Sequence, residues 1–396
     1  TDDTADDTAD DTTDDTVDNT PTDDATTYYE EGVTQYTAGD LEAALESFNE
    51  AIVRDPSYLD AYYQRGLVHE GLSDWEEALK DYDQVLDLDP EKAEAYHARA
   101  RVQASLEAWD SALDDYSQAI ELNPDDAQAY FARGIIYKQQ EAYDSAIADF
   151  GQAFDLDDTN AEALAQRGDV YVIQGDYEQG VDDATAALEI NPDYDWAYAV
   201  RANAYSQMGE YEKAIRDFDR AIELTADYEW ALAQRANAYL ALSQYTEAIS
   251  DATDALEINP NSDWAYAIRG AAYRGNEAYE AAIDDFDEAI DINADYTYAY
   301  YERGLAYAAL GDTDAALADY DQALDLDPDY IEVYISRGLA RQAADDLEGA
   351  LADYDLALDL DPDYADAYNN RGLVYEAMEE YQYAVVSYSA AIQREP

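Results

Sequence analysis

The chain has 396 residues, a formal net charge of -72 from 93 acidic and 21 basic side chains, and no cysteine. Such a surface repels nucleic acid and anionic lipid, whose binding depends on Lys and Arg neutralising phosphate. The absence of cysteine excludes disulfides and thiol chemistry, and no run approaches the ~20 apolar residues that span a bilayer.

Residues 1–24 form an acidic leader with eleven Asp and no basic residue. Thr4, Thr8, Thr12, Thr16 and Thr20 recur every four residues. With no aromatic side chain to offset folding entropy, the leader is expected to be disordered unless a partner holds it. Its threonines are candidate O-glycan acceptors. Extended, it would reach roughly 80 Å, enough to run along a neighbouring copy. A chain that starts at Thr1 without a basic-then-apolar segment reads as a mature protein after signal removal, placed outside the cell or on its surface.

From Ala25 the sequence falls into 34-residue blocks with no insertion, starting at 25, 59, 93, 127, 161, 195, 229, 263, 297, 331 and 365. Position four of each block is Tyr or Leu, from Tyr28 and Tyr62 to Tyr368. Position eight is Gly or Ala, position 20 is Ala except for Gly180, and position 24 is aromatic except for Ala184 and Ala252. Pro56, Pro90 and Pro124 begin a run of prolines at position 32. Positions four, eight and eleven make one helical stripe, and positions 20, 24 and 27 make a second. Turns such as Gln174-Gly175-Asp176-Tyr177 separate the two helices, and Asp-Pro pairs end the second.

On these residues the chain resembles the tetratricopeptide repeat family across 25–396. The resemblance implies an all-α fold, a right-handed α-solenoid superhelix of eleven helix-turn-helix repeats, and a concave groove lined by the first helices. Groove positions five and nine would then hold Tyr63, His97, Phe131, Tyr301 and Ile335, with Leu67, Ile135, Asn203, Asn237 and Leu305. The basic pair with which some relatives clamp a peptide carboxylate is missing here. The groove could still take an extended peptide, including the leader of a neighbour. Trp196, Trp230 and Trp264 recur at position two of three successive blocks, either as packing between repeats or as an aromatic platform for sugar or peptide.

The chain departs from the family at position seven, where Leu is usual. Arg65, Arg99, Arg133, Arg167, Arg201, Arg235, Arg269, Arg303, Arg337 and Arg371 occupy it. Position 23 is Asp in nine blocks, from Asp81 to Asp353. An arginine between helices needs a partner, so the matched aspartates predict a structural Arg–Asp ladder with bidentate geometry. The end blocks break it, with Glu31 and Ser47 in the first and Ser387 in the last.

The last helix carries no charge from Tyr383 to Ile392, whereas an internal equivalent reads Ala316-Leu317-Ala318-Asp319-Tyr320-Asp321. An apolar end on so acidic a chain reads as a contact site. Val385, Val386, Tyr388 and Ile392 are therefore expected to meet Tyr28, Tyr29, Val33 and Tyr36 of another copy. Head-to-tail contact of this kind builds rings or filaments. The functional expectation is a self-assembling structural protein, in an extracellular filament, with a monomeric peptide-binding scaffold as the alternative.

No catalytic constellation appears. His69 and His97 cannot build a zinc site without cysteine, and no phosphate-cradling glycine loop is present. The repeated pairs Asp87 and Asp89, Asp325 and Asp327, and Asp359 and Asp361 are candidate Ca2+ ligands, because calcium takes several oxygens.

Overall fold

A computed structural model describes residues 24–394; the leader expectations for residues 1–23 lie outside the described residues. Among these residues the chain forms 22 α-helices, α1 to α22 in chain order. Two helices fall in each block, as α1 (Ala25–Thr37) and α2 (Leu41–Arg54) in the first and α21 (Ala365–Ala377) and α22 (Tyr381–Arg394) in the last. The helices divide into two compact units. The first, ending at Asp157, holds α1 to α8 (Tyr143–Leu156); the second, from Asp158, holds α9 (Ala161–Gln174) to α22.

Close approach within each pair rests on position eight. A Cβ added at Gly66 would lie 2.6 Å from the Tyr82 ring, and one at Gly338 would lie 2.6 Å from the Tyr354 ring. The aromatic at position 24 thus sits directly on the backbone of the facing helix. Alanines at positions three and 20 are fully buried in block after block, as are Ala61, Ala78, Ala95 and Ala112. Larger side chains would force the helices apart.

The turn inside every block follows one backbone solution. Position 15 adopts positive φ in all eleven blocks, at Gly39, Gly175, Gly209 and Gly311 and at seven residues other than glycine. Those seven include Glu107 at 58°, Glu141 at 60° and Glu277 at 61°. The left-handed residue stops the first helix, and the next N–H groups bond back to its last carbonyls, as Asp74 N to His69 O at 2.8 Å. At the other end, the residue before proline is extended, as in Asp89 with φ -141° and ψ 95°, and the second helix stops there.

An L-residue in the left-handed region costs roughly 1–2 kcal/mol, while glycine loses roughly 0.5–1 kcal/mol in chain entropy on folding. Glu277→Gly is therefore expected to raise stability by about 0.5–1 kcal/mol. A urea midpoint that moves upward with an unchanged slope is the expected result. A downward shift would show that the Glu277 side chain contributes more than its backbone costs.

Candidate functional site

The arginines of position seven meet the aspartates of position 23 in their own block. In eight blocks Nε and Nη2 donate to the two carboxylate oxygens at 2.5–2.9 Å, from Arg65 with Asp81 to Arg303 with Asp319. Arg337 does the same with Asp353 at 2.7–3.2 Å. The remaining nitrogen, Nη1, reaches position 25 of the preceding block. Its acceptors are Asn49, Asp83 and Ser117 for Arg65, Arg99 and Arg133, and Thr185, Asp219 and Thr253 for Arg201, Arg235 and Arg269. Asp287, Asp321 and Asp355 serve Arg303, Arg337 and Arg371. The position-four tyrosine closes the unit from one side, with the Arg337 guanidinium 5.5 Å from the Tyr334 ring centre and Arg99 5.5 Å from that of Tyr96.

Each of these nine rungs thus joins two helices of one repeat to the helix before it. Bonds to aspartate hold Arg99, Arg133, Arg201 and Arg269 above the ordinary arginine range. Burial pushes the carboxyls of Asp251, Asp285 and Asp319 above the ordinary aspartate range, and their arginines pull them back only in part. Asp353 is wholly buried and also accepts from Arg341 at 2.9 Å. At the array ends the rung changes. Arg371 finds only Ser387 at 3.4 Å in its own block, and in the first block Ser47 donates to Gln35 at 2.7 Å.

The basic side chains at groove positions are likewise matched. Arg101 forks onto Glu70 at 2.8 and 2.9 Å, Tyr82 donates to the same carboxylate, and His97 Nδ1 pairs with Asp126 at 2.8 Å. Arg101, His97 and Asp126, with Tyr63, Glu94 and Gln128, line a cavity of about 260 Å3. Arg274 pairs with the buried Glu302. None of these pairs was legible from the repeat pattern, because each occurs once. Trp196 and Trp230 lie 6.0 Å apart, with Phe218 and Tyr228 against Trp230. Trp264 packs on Leu232, Leu256 and Ile268. All three indoles are half-buried, which favours packing over an open platform.

The aspartate pairs have a local role. Asp89, Asp327 and Asp361 accept the N–H two residues on, at 2.9–3.0 Å, and so hold the turn after each second helix. Asp87, Asp325 and Asp359 point to solvent. Among the described residues no three His, Asp or Glu side chains gather into a group able to hold a metal.

The two ends differ from one another. Position 28 is 7–9% exposed at Ile52, Leu86, Ile120, Leu188, Leu256, Leu324 and Leu358, but 67% exposed at Ile392. Tyr381 and Val385, at positions 17 and 21, are likewise bare, because these positions receive the first helix of a following repeat, as Leu347 and Leu351 receive Val374 and Met378. Tyr383 and Val386 add exposed apolar surface beside them. Tyr388 is instead half-buried against Gly372 and donates to Glu376 at 2.9 Å.

The expectation for the first helix needs correction. Tyr29, Val33 and Tyr36 pack on Ala44, Phe48 and Val68, and Tyr28 on Ile52 and Ala61, so these four face inward, toward α2 and α3 (Leu59–Gly71). They follow the stripe of position four and its neighbours, which is the helix-pair contact in every repeat. The outer face of α1 carries Thr27, Glu31 and Thr34, all exposed.

Two measurements test the rung. Asp353→Ala strands Arg337 and Arg341 together and is expected to cost about 3–5 kcal/mol in chemical denaturation; a loss under about 1 kcal/mol would show that water replaces the carboxylate. The second concerns Asp251, Asp285 and Asp319, which bind protons more readily folded than unfolded. They add stability as pH falls through their range and subtract it as pH rises, the reverse of an aspartate with a lowered pKa. Carboxyl-carbon NMR is expected to place their midpoints above that of Asp55, which bonds from Ser57 hold low. Arg269→Gln should drive Asp285 higher still, and midpoints at or below that of Asp55 would contradict this account.

The comparisons agree with this geometry. A tetratricopeptide repeat model matches residues 29–93, 131–195 and 233–297, and a second matches 67–133. Further repeat models of the same kind match 304–345 and 343–379, and 196–228 and 365–396. No curated protein sequence gives a significant match. Among solved structures, the crystal structure of the APC/C hetero-tetramer Cut9-Hcn1 is similar with TM-score 0.53 and 14% identity over 95% of this chain and 88% of that one. Yeast Tom70 gives 0.44 and 15% over 93% and 91%. YrrB, titled a TPR protein with an unusual peptide-binding site, gives 0.39 and 26% over 47% of this chain and 96% of that one. With its 34-residue helix pairs, its small-on-aromatic contacts and repeat models matching from residue 29 to 396, the chain belongs to the tetratricopeptide repeat family.

Proposed function

We propose that this interaction scaffold joins copies of itself head to tail, the exposed face of α22 in one copy receiving α1 of the next. The observation that carries the reading is the contrast at position 28, where Ile392 is 67% exposed, seven of its ten equivalents are at most 9% exposed, and Phe154, Ile222 and Ile290 are half-buried. The internal repeats supply the template for what covers such a face. There the first helix of the following repeat lies over it, as α21 lies over Leu347, Leu351 and Leu358.

Charge supports the same face. Two copies of a chain with net charge -72 repel wherever acids meet, and α22 carries only Arg394 in 14 residues. Burying Tyr381, Val385 and Ile392 would return about 1.5–3 kcal/mol each. Association costs about 4–15 kcal/mol in lost motion. The junction is therefore weak singly and strengthens as salt screens the acidic bodies over about 10 Å at 0.1 M. If the step from copy to copy does not close, the product is a filament.

A second reading has its own observation. The cavity beside His97 and Arg101 opens on the first-helix faces and suits a peptide with both charged and polar groups.

The test is light scattering over a concentration series at low and high salt, on wild type and on Val385→Asp with Ile392→Asp. Because both side chains are mostly exposed, the paired variant is expected to fold and to stay monomeric, while wild type grows in mass with concentration and salt. Equal masses for the two proteins at every condition would refute self-assembly through α22 and leave the peptide reading.

A further inference from the structure

Glu31 stands where ten later repeats place arginine. In eight of those repeats the guanidinium lies between the aspartate at position 23 of its own repeat and an acceptor at position 25 of the repeat before. In the first repeat position 23 is Ser47, and in the last repeat position 25 is Ser389. Position seven is here a carboxylate acceptor; within the repeat Ser47 donates to Gln35, whose Nε2 donates to Glu31 at 3.3 Å, so the hydroxyl at position 25 of another copy is its prospective partner across a junction. Resting on the head-to-tail reading, we infer that Glu31 selects the end of another copy by accepting from Ser389, so that the junction is a rung of the ladder with donor and acceptor exchanged.

The rest of α1 is compatible with burial in that register. Position three is alanine in the internal repeats except for Val333, which is fully buried. Position ten is Val, Ile or Ala in every later repeat, with Val68 and Val374 fully buried. The first repeat has Thr27 and Thr34 there, each of valine shape. Their hydroxyls already have acceptors inside the chain. Thr34 donates to the Glu30 carbonyl at 2.8 Å and Thr27 to Asp24 at 3.2 Å. Both can therefore be covered without stranding a donor. Unpaired, the same helix shows a polar face to water, as a terminal repeat needs. On the other copy, Ser389 is exposed; its one O–H donates to the Val385 carbonyl at 2.7 Å in the free chain and must rotate away from it to serve Glu31.

The contact also discriminates. Position 25 is Asp in five internal repeats, at Asp83, Asp219, Asp287, Asp321 and Asp355. A carboxylate there suits arginine and repels Glu31. Ser389 admits it.

A charge-exchange cycle tests the pairing. Ser389→Asp copies those five repeats and Glu31→Arg copies ten, so both variants have precedent for folding in this chain. Ser389→Asp is expected to weaken self-association about tenfold or more by setting carboxylate against carboxylate. Ser389→Asp combined with Glu31→Arg is expected to restore it, by rebuilding the rung seen between Arg99 and Asp83. Sedimentation equilibrium on the full chain reads both. Loss without restoration would overturn the Glu31 pairing while leaving contact through α22 intact, as a tail-to-tail dimer would behave. No effect of Ser389→Asp would overturn it as well. Absence of wild-type association would remove the head-to-tail reading and this inference together.

Discussion

An arginine held between helices must keep its donors occupied, and here that requirement organises the repeat. The guanidinium fork takes both oxygens of one buried aspartate and its third nitrogen takes an acceptor from the previous repeat. Removing either partner would leave a charge in a poor solvent, whereas the complete set fixes three helices at once. Lysine could not replace it, having neither the planar fork nor the reach in two directions. The tyrosine at position four lies beside the same cation, so the most abundant aromatic of the chain and its commonest base serve one unit.

That dependence explains why the ends differ in character from the middle. The first described repeat carries Glu31 in place of arginine. In α22, positions 17, 21 and 28, which internal repeats cover with the next helix, are bare. Among the described residues α1 thus shows a polar outer face and α22 an apolar one. The asymmetry gives the scaffold a direction, which a contact between two identical ends would lack.

Much of this was readable in the residue order. A strict 34-residue spacing marked the helix pairs, and the matched Arg and Asp positions marked the buried pairing. Position 25 escaped notice because Asn, Asp, Ser and Thr all serve there; any acceptor satisfies one N–H, so no single residue type repeats. Position 15 escaped for a related reason, since glycine fills it in only four blocks and the strain is carried by Ser, Glu or Asp in the others. The tyrosines of α1 were misassigned because an apolar stripe shows that a helix face is covered and does not say by what. Asp89, Asp327 and Asp361 resembled metal ligands because a carboxylate that caps a turn has the same spacing from its neighbour as one that binds an ion.

The tolerance at position 25 has a consequence for how such an array can change. One repeat brings the arginine, its aspartate and its tyrosine as a self-contained set, and asks of its predecessor only a lone pair in the right place. Excision or copying of a whole 34-residue module therefore leaves the remaining rungs with a usable neighbour wherever the module before them brings Asn, Asp, Ser or Thr at position 25. The close echo between Asp183-Ala184-Thr185 and Asp251-Ala252-Thr253, two modules apart, is the mark such copying would leave. Length is thus a quantity this architecture can vary without rewriting its interior.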